Sequence, residues 1–465
     1  MVRYRDLVSD TICSPITAPG YSGVAVIRIS GEKSLEAINK LTNTPLESVE
    51  SHKSYLCVLK DQLNQKIDQT LVTYFEKDKS FTGDQTIEVA CHGSPLIINQ
   101  IIENLLSHGC RQAEKGEFTF RAFYNGKIDL IQAESIQKLV TSRNNFGSKA
   151  FLDQLQGELS QHFQQLEDDI ILSLSHLEAS IDFVEQDIET DEYSQVKQYV
   201  DKALDKTNFL IKSYDTGKNL SEAFKILLLG KTNVGKSSLF NKLVKNNRAI
   251  VTDIAGTTRD MVSHQQFIGN HQVELFDSAG LRDTEDKIEI EGIKKVMDFS
   301  EKSNLILYVV DLSETMEQVE FKELSSEKIV FVFNKSDQVS EGEKLKKIEE
   351  FFKLNGLSKN KVNYLSVSAL ENIGMENLIH EIENFLNSTQ GDEEEGMVTQ
   401  ARHFNHLQQL KFHLDQSLNQ ISNEESPDII SQELQLGLSE INALLGKEYN
   451  DEILDKIFSD FCIGK

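Results

Sequence analysis

No stretch of this sequence approaches the ~18 continuous apolar residues that a membrane-spanning helix needs, so no membrane partner is expected. Basic residues are also scarce. Lys and Arg number 48 against 74 Asp and Glu, and the formal net charge is −26. That balance excludes a generic basic clamp on nucleic acid. If the protein works on nucleic acid, a local patch or a basic partner must hold the phosphates. Cysteines are few (Cys13, Cys57, Cys91, Cys110 and Cys462), and none sits in a C-x-x-C pair. An odd count in a large chain reads as reduced cytosolic thiols. A G-x-G-x-x-G fingerprint is absent, so the chain is not expected to carry a flavin fold of its own. The first dozen residues lack the apolar core of a secretion signal, and they carry Asp6 and Asp10, which a transit peptide avoids. A cytoplasmic location is expected. No internal repeat is visible.

What is present is ordinary globular composition, 39% apolar and 26% charged. At 465 residues, roughly three domains are expected from about 150 residues each. Residues 1–126 mix β-rich runs with turns; strands are predicted over 23–29, 55–59, 71–75 and 86–91, and a helix after Pro95. Residues 127–221 are helical. Leu152, Leu155, Leu159, Phe163, Leu166, Ile170, Leu174, Leu177 and Ile181 recur every three or four positions, which predicts one buried helix face. A second pattern over 196–214 packs back on it. Residues 222–388 alternate strands (224–229, 273–276, 305–310, 329–333) with helices, as a buried parallel sheet requires. The acidic run 391–396 reads as a linker, and residues 389–465 return to helical periodicity through Leu407, Leu410, Leu414 and Leu418. The expected class is therefore multidomain α/β plus α: an α+β first domain and a discontinuous helical domain into which a P-loop α/β domain is inserted.

Gly230-Lys231-Thr232-Asn233-Val234-Gly235-Lys236-Ser237 matches G-x-x-x-x-G-K-[ST] between a predicted strand and a helix. Glycines let the backbone wrap phosphates with N–H groups turned inward. Lys236 would neutralise the β- and γ-phosphates, and Ser237 would ligate Mg²⁺. Gly256-Thr257-Thr258 follows, with Thr258 a second magnesium ligand that senses the γ-phosphate. Asp277-Ser278-Ala279-Gly280 ends a strand; Asp277 would hold Mg²⁺ through water, and the Gly280 N–H would meet the γ-phosphate. Asn334-Lys335-Ser336-Asp337 ends another strand, and Asp337 can accept from guanine N1–H and the exocyclic amine. Adenine lacks that donor pair and would leave a buried carboxylate unpaired. Ser368 and Ala369 would back the base with main-chain N–H groups. In this order the elements follow the pattern of the translation-factor-related GTPases. Leu281 stands where signalling GTPases carry a water-orienting glutamine, so another group must orient water. The amide oxygen of Asn233 can hold a monovalent cation beside the phosphates, or the residue simply turns the loop.

The chain resembles the tRNA modification GTPase MnmE (TrmE) family over nearly its whole length. The resemblance rests on Ile27-Arg28-Ile29-Ser30-Gly31, Phe81-Thr82-Gly83, Gly116-Glu117-Phe118-Thr119 and Asn125-Gly126-Lys127. It continues through Asn233-Val234-Gly235-Lys236-Ser237-Ser238-Leu239, Gly256-Thr257-Thr258-Arg259-Asp260 and the closing Phe461-Cys462-Ile463-Gly464-Lys465. It implies a Ras-like GTPase domain in which residues 233–238 and Thr252 join the nucleotide set above. It implies K⁺ in place of an arginine finger, held by Asn233, Thr252, Ile254 and Thr257 as G domains meet. Glu289 falls where the family orients the attacking water. The first domain would dimerise and bind 5-formyltetrahydrofolate or a related tetrahydrofolate through Arg28, Glu88, Lys127 and Lys465. Cys462 falls on the family's terminal cysteine. The implied partner is the FAD-dependent flavoprotein MnmG (GidA), in a heterotetramer. Together they would add an aminomethyl or carboxymethylaminomethyl group to the wobble uridine of certain tRNAs. Tyr21, Ser22, Lys115, Ser278 and Leu370 depart from the family's usual residues. The alternatives are a GTP-switched ribosome-assembly factor, against which the closing motif argues, and a small-molecule folate enzyme regulated by GTP.

Overall fold

The computed structural model describes residues 4–42, 46, 48–182, 191–218, 223–246, 262–269, 271–277, 299–300, 303–319, 328–359, 362–388, 396–449 and 451–465. The architecture is multidomain α/β plus α, in two compact units. One comprises Met1–Val140, Ala150–Lys218 and Glu395–Lys465; the other comprises Thr141–Lys149 and Asn219–Glu394.

The first unit opens with strands β1 (Ile12–Pro15), β2 (Ser22–Ser30), β3 (Lys53–Lys60), β4 (Lys66–Phe75), β5 (Thr86–Gly93) and the short β6 (Arg111–Gln112). They form one sheet in the order β3-β4-β5-β2-β1-β6. Alternation sets the faces: Ala25, Ile27 and Ile29 of β2 are buried, while Val26 and Arg28 point the other way. The buried face is covered by α1 (Ser34–Leu41) and by α2 (Pro95–Ser107), whose proline occupies the first helical turn as predicted. The antiparallel β2–β5 register sets Arg28 opposite Glu88.

Helices α3 (Glu117–Tyr124) and α4 (Leu130–Thr141) lead into a bundle. It is built from α6 (Glu158–Asp182), α7 (Asp191–Gly217), α11 (Ala401–Ser422) and α12 (Pro427–Leu445) around Leu159, Phe163, Leu166, Leu407, Leu410 and Leu434. The single stripe predicted from Leu152 onward is broken. Helix α5 (Asn145–Leu155) ends before Gly157, which takes φ +93° and turns the chain, and Leu152 is exposed. The three-four spacing runs through the break because glycine at a left-handed turn leaves the apolar count intact.

A buried polar knot ties α4 to α11. Glu134 accepts from Arg402 Nε (2.9 Å), Arg402 Nη2 (3.0 Å) and His403 Nε2 (2.7 Å). Burial pushes the Glu134 carboxyl up, but the Arg402 charge and the His403 contact outweigh it and hold the group at about 2. Burial pushes His403 below its ordinary value despite the carboxylate. The two shifts agree if neutral His403 donates Nε2–H to ionised Glu134 and Arg402 supplies the charge. Helix α13 (Asp451–Ser459) then returns to α3 through Phe458 and Phe120.

The second unit has a six-stranded sheet of β7 (Phe224–Leu229), β8 (Val262–Ile268), β9 (His271–Asp277), β10 (Leu305–Asp311), β11 (Ile329–Asn334) and β12 (Asn363–Ser366). Its order is β12-β11-β10-β7-β9-β8. Pairing is parallel except for the β8–β9 hairpin, which the expectation of a parallel sheet did not include. The central strands are continuous apolar runs because both faces are covered. Helices α8 (Lys236–Asn246) and α10 (Met375–Ser388) bury Leu239, Leu243, Leu378 and Ile382 on one face. Helix α9 (Glu341–Leu354) buries Phe351 and Phe352 against Phe331 and Phe333 on the other. Residues 141–149 join this unit at the hairpin, where Gln272 N–H donates to Arg143 O (2.8 Å).

Candidate functional site

Parallel strands end on one edge of the sheet, and that edge is where such folds bind ligands. Here β7 runs into residues 230–237, β9 ends on Asp277, β10 on Asp311 and β11 on Asn334. The loop after β7 is built on two close approaches. A Cβ on Gly230 would lie 2.3 Å from Val309 O, and one on Gly235 would lie 2.3 Å from Asn334 Nδ2, both at positive φ. Asn233 takes φ +63°, a conformation asparagine tolerates, and is exposed.

The functional side chains converge. Lys236 begins α8, and its ammonium donates to Gly230 O (3.0 Å) and Lys231 O (2.5 Å), so the loop's own carbonyls hold it inside the loop. Ser237 Oγ donates to Asp277 Oδ2 (2.8 Å). A hydroxyl and a carboxylate at that distance are hard oxygen donors suited to Mg²⁺. Asn334 is almost wholly buried and bridges the two halves of the site. Its Nδ2 donates to Val234 O (2.9 Å), and its Oδ1 accepts from Ala369 N–H (3.1 Å). Lys335 takes φ +59° and pairs with Asp311 Oδ2 (2.5 Å). Ser368 Oγ accepts from Glu371 N–H (3.1 Å), which closes the loop that carries Ala369. Asp337 stands exposed in a single 3₁₀ turn, where its carboxylate is free to meet a ligand edge.

Asp311 was not anticipated. Burial pushes its carboxyl up, but Lys335 and the Ser313 donors outweigh that and hold it below the usual carboxylate range. The available signal was its position, an acidic residue closing an apolar strand as Asp277 does. The expectations for Thr252, Ile254, Thr257, Thr258, Gly280, Leu281 and Glu289 lie outside the described residues.

A second constellation lies in the first unit. Arg28 donates from Nε (3.0 Å) and Nη2 (2.8 Å) to Glu88 Oε1. Its guanidinium lies 5.1 Å from the Phe81 ring centroid and 5.4 Å from that of Phe118. Phe118 N–H donates to Lys465 O (3.1 Å), which brings the closing motif to the same place. Lys127 Nζ donates to Asp78 O (2.8 Å), on the loop that carries Phe81. The partly exposed Glu88 carboxylate and Arg28 guanidinium beside the exposed Phe81 ring can hold a flat heterocycle whose edge donates hydrogen bonds, with buried Phe118 backing the guanidinium.

Helix α3 is fixed by buried charges. Glu117 accepts from Arg111 Nη2 (2.7 Å) and Arg121 Nη2 (3.0 Å), and Arg121 Nη1 donates to Asp10 O (2.7 Å). Phe81, Glu117, Phe118 and Arg121 were given no role by the sequence, because their partners lie far along the chain or on turns whose geometry only the fold sets.

A family model described as the MnmE helical domain matches residues 130–462, and one described as the GTP-binding protein TrmE N-terminus matches residues 11–127. The chain is 36% identical to the tRNA modification GTPase MnmE of Natranaerobius thermophilus, over 99% of this chain and 100% of that one. It is 35% identical to that of Bdellovibrio bacteriovorus, over 100% and 99%, and 34% identical to that of Aquifex aeolicus, over 98% and 100%. The solved translation elongation factor SelB of Methanococcus maripaludis is 19% identical over 36% of this chain and 34% of that one, at a TM-score of 0.26, a likeness that carries no argument. With its helical and first-domain signatures both matched and its relatives aligned end to end, this chain belongs to the tRNA modification GTPase MnmE family.

Proposed function

We propose that this protein hydrolyses GTP and couples the hydrolysis to adding an aminomethyl or carboxymethylaminomethyl group to C5 of the wobble uridine of certain tRNAs. The observation that carries the reading is the convergence of Lys236, Ser237, Asp277 and the Asn334 bridge on one sheet edge. The full-length likeness to MnmE proteins supports it.

In this reading Asn233, Val234, Gly235, Lys236, Ser237 and Ser238, with Thr252, Thr257 and Gly280, surround the phosphates. Lys335 flanks the nucleotide, Asp337 reads guanine, and Ser368 and Ala369 back the base. Ser237 and Thr258 would ligate Mg²⁺, with Asp277 holding it through water, and the metal would supply phosphate charge neutralisation. Asn233, Thr252, Ile254 and Thr257 hold K⁺ when G domains of a homodimer meet, and Glu289 orients the attacking water. Residues 1–126 form the dimerising domain. There Arg28, Glu88, Lys127 and Lys465 take 5-formyltetrahydrofolate or a related tetrahydrofolate, with Cys462 beside them. Residues 127–221 and 389–465 form the helical domain, and 222–388 the GTPase domain. The flavoprotein MnmG (GidA) completes a cytoplasmic heterotetramer and supplies basic surface for tRNA, which fits a chain carrying net charge −26.

Wobble-nucleoside analysis of a deletion strain, with co-purification of the flavoprotein, tests the reading. Loss of the C5 modification is expected, and unchanged nucleosides would sink it. Equal GTP turnover in K⁺ and Na⁺ would remove the cation from the mechanism.

A further inference from the structure

The turn that carries Asp337 is tied to the sheet by a charge outside the nucleotide motifs. Asp311 closes β10 and Asn334 closes β11. The two are partners in the parallel register, and Leu312 N–H donates to Asn334 O (3.0 Å) beside them. The Asp311 side chain is 2% exposed, and its two oxygens have different partners. Oδ1 accepts from Ser313 N–H (2.8 Å) and from Ser313 Oγ (2.6 Å). Among the described residues Oδ2 has no aligned hydrogen bond and meets only the Lys335 ammonium, as an ion pair at 2.5 Å. A carboxylate buried this far needs its cation.

Lys335 is itself strained. Its φ of +59° is one that an L-residue with a long side chain seldom adopts. The backbone is closed around it: Ser336 N–H donates to Val367 O (3.1 Å), and Gln338 N–H donates to Lys335 O (3.1 Å). The 3₁₀ turn Ser336–Gln338 starts from Lys335 and holds Asp337, so the place of that carboxylate follows from the Lys335 dihedral angles. The pull of Asp311 on the Lys335 side chain offsets the strain and keeps the turn in this form.

We infer that Asp311 is a positioning residue for guanine recognition, fixing Lys335 and, through it, the Asp337 carboxylate. The functional part rests on the proposal that Asp337 reads guanine. The carboxylate is required for this. An asparagine at 311 keeps the shape, but it must either give up the Ser313 donors or turn its own Nδ2 hydrogens toward the ammonium.

The test uses the full chain with Asp311→Asn, Lys335→Met and the pair together. The Kd of GDP and of IDP is measured by competition with a fluorescent GDP analogue, and thermal unfolding is followed beside it. IDP lacks only the exocyclic amine, so the GDP-to-IDP preference reports where the carboxylate stands and not how loose the site is. Asp311→Asn is expected to raise the GDP Kd about tenfold and to cut the GDP-to-IDP preference at least about threefold. In the Lys335→Met background the same change should move the GDP Kd by less than about twofold, because the partner is already gone. A preference kept at the wild-type value in Asp311→Asn would overturn the inference, and so would an Asp311→Asn effect that is as large without Lys335 as with it. If the wild type binds GDP no better than IDP, the guanine reading of Asp337 fails, and the unfolding data then decide the anchor alone. A loss of thermal stability in Asp311→Asn that disappears in the Lys335→Met background upholds the anchor, and an additive loss refutes it.

Discussion

Replacing Asn334 with alanine removes the group that joins the two halves of the nucleotide site. The amide donates to Val234 O at 2.9 Å and accepts from Ala369 N–H at 3.1 Å. Asn334, Val234 and Ala369 are 2%, 5% and 3% exposed, so water cannot replace either bond without opening the loops. The variant therefore leaves one buried acceptor and one buried donor orphaned, at about 1–3 kcal/mol each. Relaxation of the loops recovers part of this, and a net loss of about 2 kcal/mol is the conservative figure. Where that loss falls on the arrangement that binds nucleotide, it is roughly 30-fold in Kd. The assay is titration of a fluorescent GDP analogue into the full chain, with thermal unfolding beside it. The expectation is a Kd raised by about 10- to 50-fold and an earlier unfolding transition. An affinity within threefold of wild type, with an unmoved transition, would show that the bridge does not hold the site together.

Glu134→Ala should destabilise the protein by about 1–3 kcal/mol, because it removes the acceptor of the buried His403 Nε2–H and of the half-buried Arg402 guanidinium. The pH dependence has a definite sign. The folded carboxyl sits at about 2 against an ordinary 4.5, so its contribution is complete above about 4.5 and is lost as pH falls toward 2. His403, held below its ordinary value, adds acid destabilisation in the same direction from about 6.5 downward. Urea unfolding at pH 7 and pH 4 should therefore show a smaller wild-type-to-variant gap at the lower pH. Arg28→Ala and Glu88→Gln should each weaken 5-formyltetrahydrofolate binding at least tenfold while leaving GTP turnover unchanged, as read by folate titration and phosphate release. Glu289→Ala should nearly abolish hydrolysis while GDP-analogue binding survives; turnover above a tenth of wild type would reassign the water-orienting role.

The candidate nucleotide site was legible because its parts are local. A phosphate-binding loop is a run of adjacent residues, and Asp277 and Asn334 each announce themselves by ending an apolar strand. Periodicity located the bundle but not its break at Gly157, since a single glycine does not disturb three-four spacing. The β8–β9 hairpin escaped because Val262–Ile268 carries four consecutive polar residues, Ser263 to Gln266, at a sheet edge, without the continuous apolar run of a central strand.

By itself, then, the order of residues determined the family, the fold class and the residue types gathered at the candidate nucleotide site. These depend on short-range spacing and on side-chain chemistry that no later packing alters. Tertiary structure decided which of those residues touch. Asn334 reaches Val234 across 100 positions, and Arg121 reaches Asp10 across 111. Arg28 meets the Phe81 and Phe118 rings, 53 and 90 positions away in sequence, only in the folded domain. In sequence Arg121 is indistinguishable from a solvated helix residue, and its burial is known only once the sheet, α3 and the segment before β1 enclose it. Long-range contacts of this kind are set by how the elements stack, and one-dimensional periodicity carries no record of that.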